Sequence, residues 1–292
     1  MSSLKHQFVR VIELSETIGV NKHSCKKDKH MKKELIPSYA YRKNLVDFAC
    51  NLSNFLTSQY KITNIKDIKQ EHITAFFEFE EKERDCGKRT LVQYKSYINK
   101  LDRCIIQEYR FKAHLKDGVP EKLGGHEPVR VLAMRQEDIN AILSLKSSSS
   151  AQLGVRINNL FGLRAEETVK LKAKDFDLDR NVLRVIDGKG RKNRMLSLDT
   201  EEKLKLAKKI REEFDDEDRL VPLRPDSLNE YIRYSLKRLG RGEEYKEAKT
   251  GNHSIRKRAA KKELERTGDK VKTGEFLGHN QGRIVDTYCN PK

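Results

Sequence analysis

Residues 182–198 read VLRVIDGKGRKNRMLSL. Val182, Leu183, Val185 and Ile186 precede Asp187-Gly188-Lys189-Gly190, and Met195, Leu196 and Leu198 follow. This pattern predicts two strands joined by a glycine-rich turn, with Lys189 at its tip. On either side of this hairpin the apolar residues recur three and four apart, the period of a helix. Downstream, helices are predicted over 201–214, 228–239 and 253–266, and a last short run extends from Glu275 to Tyr288. Upstream, Asp138, Ile139, Ile142, Leu143 and Leu145 open a helix that breaks at Ser147 to Ser150 and resumes through Leu153, Ile157, Leu160 and Phe161. The expected fold class is therefore mainly α with a small β hairpin.

Gly and Pro concentrate in DGVPEKLGGHEP, residues 117–128, and such residues interrupt helices and supply turns. A linker is assigned to 117–135, with a second domain over 136–292. The first domain, 35–116, reads as a small helical bundle. Its first helix starts at Ser38 and carries Leu45, Phe48, Leu52, Phe55 and Leu56; the second carries Ile73, Phe76 and Phe77; the third carries Leu91, Tyr94, Ile98, Leu101 and Ile105 behind a cap at Thr90. Residues 1–34 are basic and polar and are expected to form a flexible arm, with Phe8, Val9, Val11, Ile12 and Leu14 as the sign of a short ordered piece.

The chain has 292 residues, enough for about two domains with separate cores. Its stretches of apolar residues fall far short of the roughly 20 that a membrane helix needs, and the first ten residues lack a secretory signal pattern. A soluble protein that stays in the cytoplasm is expected. Five cysteines (Cys25, Cys50, Cys86, Cys104 and Cys289) are scattered singly and read as free thiols; His23, Cys25 and His30 sit in a lysine-rich stretch without a fourth ligand, so no metal is expected. Against 44 Asp and Glu stand 61 Lys and Arg, a formal charge of +17. Such a surplus suits a polyanion, because each neutralised phosphate releases a condensed counterion, and nucleic acid is the leading partner.

Four stretches of the second domain hold side chains able to do chemistry: Gly162-Leu163-Arg164-Ala165-Glu166-Glu167, Gly188-Lys189-Gly190, His253-Ser254-Ile255-Arg256, and Leu277-Gly278-His279 with Tyr288 nine residues beyond. Their order and spacing resemble the catalytic domain of the tyrosine recombinases, the phage integrase family. That family carries an Arg in G-L-R-x-x-E, a Lys in a hairpin turn, H-x-L-R (here with Ile255 in place of Leu), an L-G-H box and a nucleophilic Tyr nine residues after its His. The first domain is similar to the family's core-binding domain in helical pattern alone. The resemblance implies a two-domain, C-shaped clamp on DNA. It also implies a covalent intermediate on Tyr288, general-acid action by Lys189 with Lys192 as the fallback, and a homotetramer on paired recombination sites. Accessory DNA-bending proteins accompany some members. With four residues after Tyr288, contacts between subunits are expected through the Tyr288 helix itself or through another surface.

The chemistry of these residue types agrees. Attack on a phosphodiester adds negative charge to the nonbridging oxygens, which the guanidiniums of Arg164 and Arg256 can hold through paired hydrogen bonds. Tyr288 must lose its proton as it attacks, with His253 as candidate base, while His279 donates to the phosphate. Glu167 would repel a phosphate if it faced it, so it is expected to orient the neighbouring Arg or His groups. Neither a metal nor a nucleotide cofactor is required, because the covalent intermediate retains the energy of the broken bond. Lys43, Lys88, Arg89 and Lys95 on the helical domain and Arg130 near the linker are candidate DNA contacts. The function expected is site-specific DNA recombination serving integration, excision or resolution; the alternatives are a type IB topoisomerase-like enzyme and a catalytically silent DNA-binding regulator.

Overall fold

The computed structural model describes residues 3–20, 36–127, 131–145, 149–188, 192–245, 250–279 and 285–286. The chain divides into two compact units, Met1–Pro128 and Val129–Lys292.

In the first unit, helices α1 (Leu4–Leu14), α2 (Tyr39–Tyr60), α3 (Gln70–Lys82) and α4 (Lys88–Tyr109) surround one apolar core. The Ser38 hydroxyl accepts the Tyr41 N–H at 3.2 Å and so satisfies a donor that the first turn of α2 leaves open. Phe48 and Phe55 then each meet Phe76 edge-on at the centre. Three expectations are corrected here. The short ordered piece expected at Phe8 to Leu14 is helix α1, and it does not lie in a flexible arm: Leu4, Phe8, Val11 and Ile12 are buried, and α1 packs on α2 and α4. Helix α4 starts at Lys88, ahead of Thr90, and its first N–H is held by the His126 carbonyl at 3.0 Å. The segment read as the start of a linker belongs to this unit, with Leu115 and Gly118 buried and Thr74 Oγ1 donating to the Gly118 carbonyl at 2.9 Å.

In the second unit, α5 (Gln136–Leu143) and α6 (Ser150–Phe161) lead into the single turn α7 (Ala165–Thr168). A three-stranded antiparallel sheet follows, in the order β1 (Phe176–Asp177), β2 (Val182–Gly188), β3 (Lys192–Ser197). The hairpin of β2 and β3 is the predicted one; β1 is an addition, too short to give a period-two signal. Alternation buries Leu183 and Val185 from β2 and Leu196 from β3, while Ile186 and Met195 face outward. Helices α8 (Glu201–Glu213), α9 (Pro225–Arg238), α10 (Asn252–Thr267) and α11 (Lys270–Leu277) complete the unit, with α10 packed along α6. Helix α11 begins at Lys270, behind the Asp269 carboxylate that accepts the Val271 N–H at 2.7 Å, and stops at Gly278; of the expected run from Glu275 to Tyr288, residues 280–284 and 287–288 lie outside the described residues, and Val285 and Asp286 are helical. Among the described residues no helix is long and apolar enough to cross a membrane.

Candidate active site

Helix α6 ends at Gly162, whose φ of +57° is the left-handed conformation that closes a helix. A Cβ there would lie 2.8 Å from the Phe276 ring, so the turn passes through a space that only glycine fits. Leu163 is then buried and Arg164 heads α7. The Arg164 backbone N–H donates to Glu167 Oε2 at 2.9 Å, and its Nη1 donates to Oε1 at 2.8 Å. The G-L-R-x-x-E spacing thus has a local cause: a carboxylate three residues into a helix reaches back to the residue that starts it.

The Glu167 carboxylate is 2% exposed and holds more than Arg164. Arg194, from β3, donates Nη1 to Oε1 at 2.9 Å and Nη2 to Oε2 at 2.8 Å, a two-point fork. Arg256 Nη1 lies 3.9 Å from Oε2. Burial pushes the Glu167 carboxyl up, but the hydrogen bonds and charge of Arg194, and then those of Arg164, outweigh it and hold the group down at about 2.

Arg256, from α10, is fully enclosed. Its Nη1 donates to the Gly162 carbonyl and its Nη2 to the Leu277 carbonyl, which ties together the two turns that carry Arg164 and His279. Nη2 also lies 3.4 Å from His279 Nε2. At the second of these turns Gly278 has φ +67°, and a Cβ there would stand 3.0 Å from Arg194 Nη1. The start of α10 is set by a buried amide chain: Asn158 Nδ2 donates to Asn252 Oδ1, Asn252 Nδ2 to the Leu163 carbonyl at 3.2 Å, and the Asn252 N–H to Asn229 Oδ1 at 2.8 Å. His253 follows at once, more than a third exposed. The partial loss of water around its ring, with the positive charges of Arg256, Lys257 and Arg164, lowers its imidazole below the ordinary value.

The structure brings Arg164, Glu167, Arg256 and His279 into one cluster, with His253 on the helix that carries Arg256. Lys189, Tyr288 and Arg130 lie outside the described residues, as do Cys25 and Cys289; the Lys192 backbone pairs with Gly188 in the hairpin. After His279 the chain returns to α11, where Val285 is buried and Asp286 meets Lys270 Nζ at 2.6 Å. Of the candidate DNA contacts, Lys43 is exposed on α2, Lys88 and Arg89 are exposed at the start of α4, and Lys95 is half-buried two turns on. Lys88 pairs with Glu127 at 2.9 Å. Two groups of residues were not anticipated from sequence. The Asn158–Asn252–Asn229 chain left no signal, since isolated amides look like surface residues. Arg194 left a faint one: it is in phase with Leu196 and Leu198, the buried face of β3.

The phage integrase family pattern matches residues 133–292, more than half of the chain. A curated relative, tyrosine recombinase XerA of Saccharolobus solfataricus, is 29% identical over 164 residues, which cover 55% of this chain and 52% of that protein. The chain thus spans about half the length of the curated relative it matches. Among solved structures, XerH bound to a palindromic difH substrate in a post-cleavage complex aligns with a TM-score of 0.68 at 18% identity, over 99% of this chain and 91% of that one. A lambda integrase dimer bound to a core site aligns with a TM-score of 0.68 at 13% identity, over 97% and 94%. With the catalytic-domain fold, the family match across the whole second unit and the Arg-Glu-Arg-His cluster in place, the chain belongs to the phage integrase family.

Proposed function

We propose that this chain is a site-specific tyrosine recombinase, which cuts and rejoins DNA strands through a 3′-phosphotyrosine on Tyr288. The observation that carries the reading is the gathering of Arg164, Arg256 and His279, distant in sequence, around the single buried carboxylate of Glu167. Three guanidiniums against one carboxylate leave a surplus of two positive charges, suited to the two nonbridging oxygens of a phosphodiester under attack.

In the proposed reaction the Tyr288 phenol oxygen attacks phosphorus, and its proton passes to His253, which the partial loss of water and then the surrounding cations keep neutral and so able to accept it. The bond to the 5′ oxygen breaks and Lys189 protonates that oxygen. Arg164, 21% exposed, is the guanidinium that meets the phosphate first. Arg256 adds its charge from behind and fixes the Gly162 and Leu277 turns. His279 donates to the phosphate. A 5′ hydroxyl from a second duplex then attacks the phosphotyrosine, which restores the phenol and joins the new strand. Double-stranded DNA with specific sites, a homotetramer on synapsed sites, a clamp formed with the first unit, help from DNA-bending proteins and a cytoplasmic location all belong to this proposal. They are supported by the family match, by the +17 charge, and by relatives that include a lambda integrase tetramer bound to a Holliday junction.

The test is covalent trapping on a pool of duplexes with randomised flanks and a nick beside the cleavage position. An adduct stable to detergent is expected with the wild-type chain and lost in Tyr288→Phe. No adduct from the wild type, or an adduct that survives the substitution, overturns the reading. Adducts without strand exchange between two duplexes point to relaxation of supercoils instead.

A further inference from the structure

Glu167 sits among three guanidiniums, and the question is which of them neutralises it. Arg164 gives the carboxylate one guanidinium nitrogen, at 2.8 Å, and Arg256 approaches no nearer than 3.9 Å. Arg194 takes both oxygens, at 2.9 and 2.8 Å, and is 11% exposed, half as open as Arg164. Planar two-point pairing is the strongest contact that an arginine and a carboxylate make. Two features of the fold build it. Strand alternation turns Arg194 to the buried face opposite Val185, and Gly278, in the L-G-H box, leaves the space in which its guanidinium lies.

We propose that Arg194 is a positioning residue that neutralises Glu167, so that Arg164 and Arg256 keep their charge and their donors for the phosphate. This rests on the recombinase reading above. Without Arg194 the buried carboxylate draws the fork of Arg164 onto itself, because a buried ion retains whatever partner lies within reach. The site then carries one surplus positive charge in place of two, and the guanidinium nearest to solvent is turned away from the substrate.

The experiment measures single-turnover adduct formation on the nicked duplex pool, with DNA affinity by gel shift, for the wild type, Arg194→Met, Arg194→Lys and the double variant Arg194→Met with Glu167→Gln. The Met variant is expected to form adduct about 10- to 100-fold more slowly, the range typical of a residue that fixes the charge and orientation of a group touching the reacting atoms. Its DNA affinity should stay within about twofold, since a duplex is held through many phosphate contacts and this substitution alters the charge at one of them. The double variant is expected to recover about tenfold over the Met variant, because removing the uncompensated carboxylate restores two positive charges. The Lys variant, which keeps charge and folding but loses the fork, should lie between the Met variant and the wild type. A Met or Lys variant as fast as the wild type overturns the proposal. So does a double variant no faster than the single one, since a purely structural arginine gains nothing from losing its partner. Absence of adduct from the wild type is a different outcome, one that sinks the recombinase reading itself.

Discussion

Replacing Glu167 by Gln removes the one negative charge from the cluster, and its cost can be worked from the carboxyl's displaced ionisation. Burial pushes the carboxyl's pKa up, and the hydrogen bonds and charge of Arg194 with Arg164 pull it down by more, from the ordinary 4.5 to about 2. With each tenfold change worth about 1.4 kcal/mol, and no solvent screening to discount at 3% exposure, the ionised form contributes about 3 kcal/mol to folding at neutral pH. The folded-state value lies below the unfolded one, so this contribution is complete above pH 4.5 and fades as the pH falls toward 2. Of the 3 kcal/mol, about 1 is lost by pH 4 and about 2 by pH 3. The assay is urea unfolding followed by circular dichroism between pH 7 and pH 3, with hydrogen exchange of the α10 amides to identify the transition of the second unit. Other carboxylates titrate alike in both proteins, so the difference between them isolates this site. Glu167→Gln should be about 3 kcal/mol less stable at pH 7 and about 1 kcal/mol less stable at pH 3. A gap that is small at pH 7, or that stays constant across the range, refutes the placement of the carboxylate among the arginines.

Phe8→Ala should destabilise the first unit by about 3–5 kcal/mol, since Phe8 is fully buried; a change under about 0.5 kcal/mol in urea unfolding means that α1 is a solvated arm after all. Gly278→Ala and Gly268→Ala both force a side chain into left-handed backbone, at φ +67° and +65°, but only the first drives a Cβ to 3.0 Å from Arg194, the second meeting nothing within 4 Å. Each should lose about 1–3 kcal/mol of stability, and Gly278→Ala alone should also slow adduct formation; equal rates in the two variants contradict the contact.

What could be read in the sequence, and what could not, follows from how each signal arises. The β2–β3 hairpin was legible because alternation and a glycine turn are both local. The long helices were legible because their apolar stripes are wide: Leu45, Phe48, Leu52, Phe55 and Leu56 leave little choice of face. Leu4, Phe8, Val11 and Ile12 keep the same spacing, but over eleven residues surrounded by cations. So short a helix is marginal alone and is stabilised by the core of α2 and α4, which a local reading does not contain. The Gly and Pro of residues 117–128 were read as turns within a linker, whereas the backbone of those turns packs on α3 and α4 as part of the first unit. In the site, Arg164, Glu167, Arg256 and His279 were singled out because their order and spacing resemble the phage integrase pattern. Arg194 was not, because the carboxylate that makes a buried arginine tolerable lies 27 residues earlier, on another element.

If the cluster receives a phosphate as proposed, its charges also account for the presence of a carboxylate among them. Three guanidiniums brought together without a counter-charge repel one another; any two unit charges about 4 Å apart at an effective dielectric of about 20 repel by about 4 kcal/mol. A second carboxylate would lower the cost further but leave a surplus of one, weakening the attraction for phosphate. A single one, held by the fork of Arg194 and capped by the Arg164 N–H, settles the cations during folding and leaves a surplus of two. Because α7, β3 and α10 each contribute one of those guanidiniums, the charge is complete only when all three elements have docked. The proposed phosphate recognition is therefore coupled to stability through one carboxyl group, and a substitution that loosens any of the three elements should lower both.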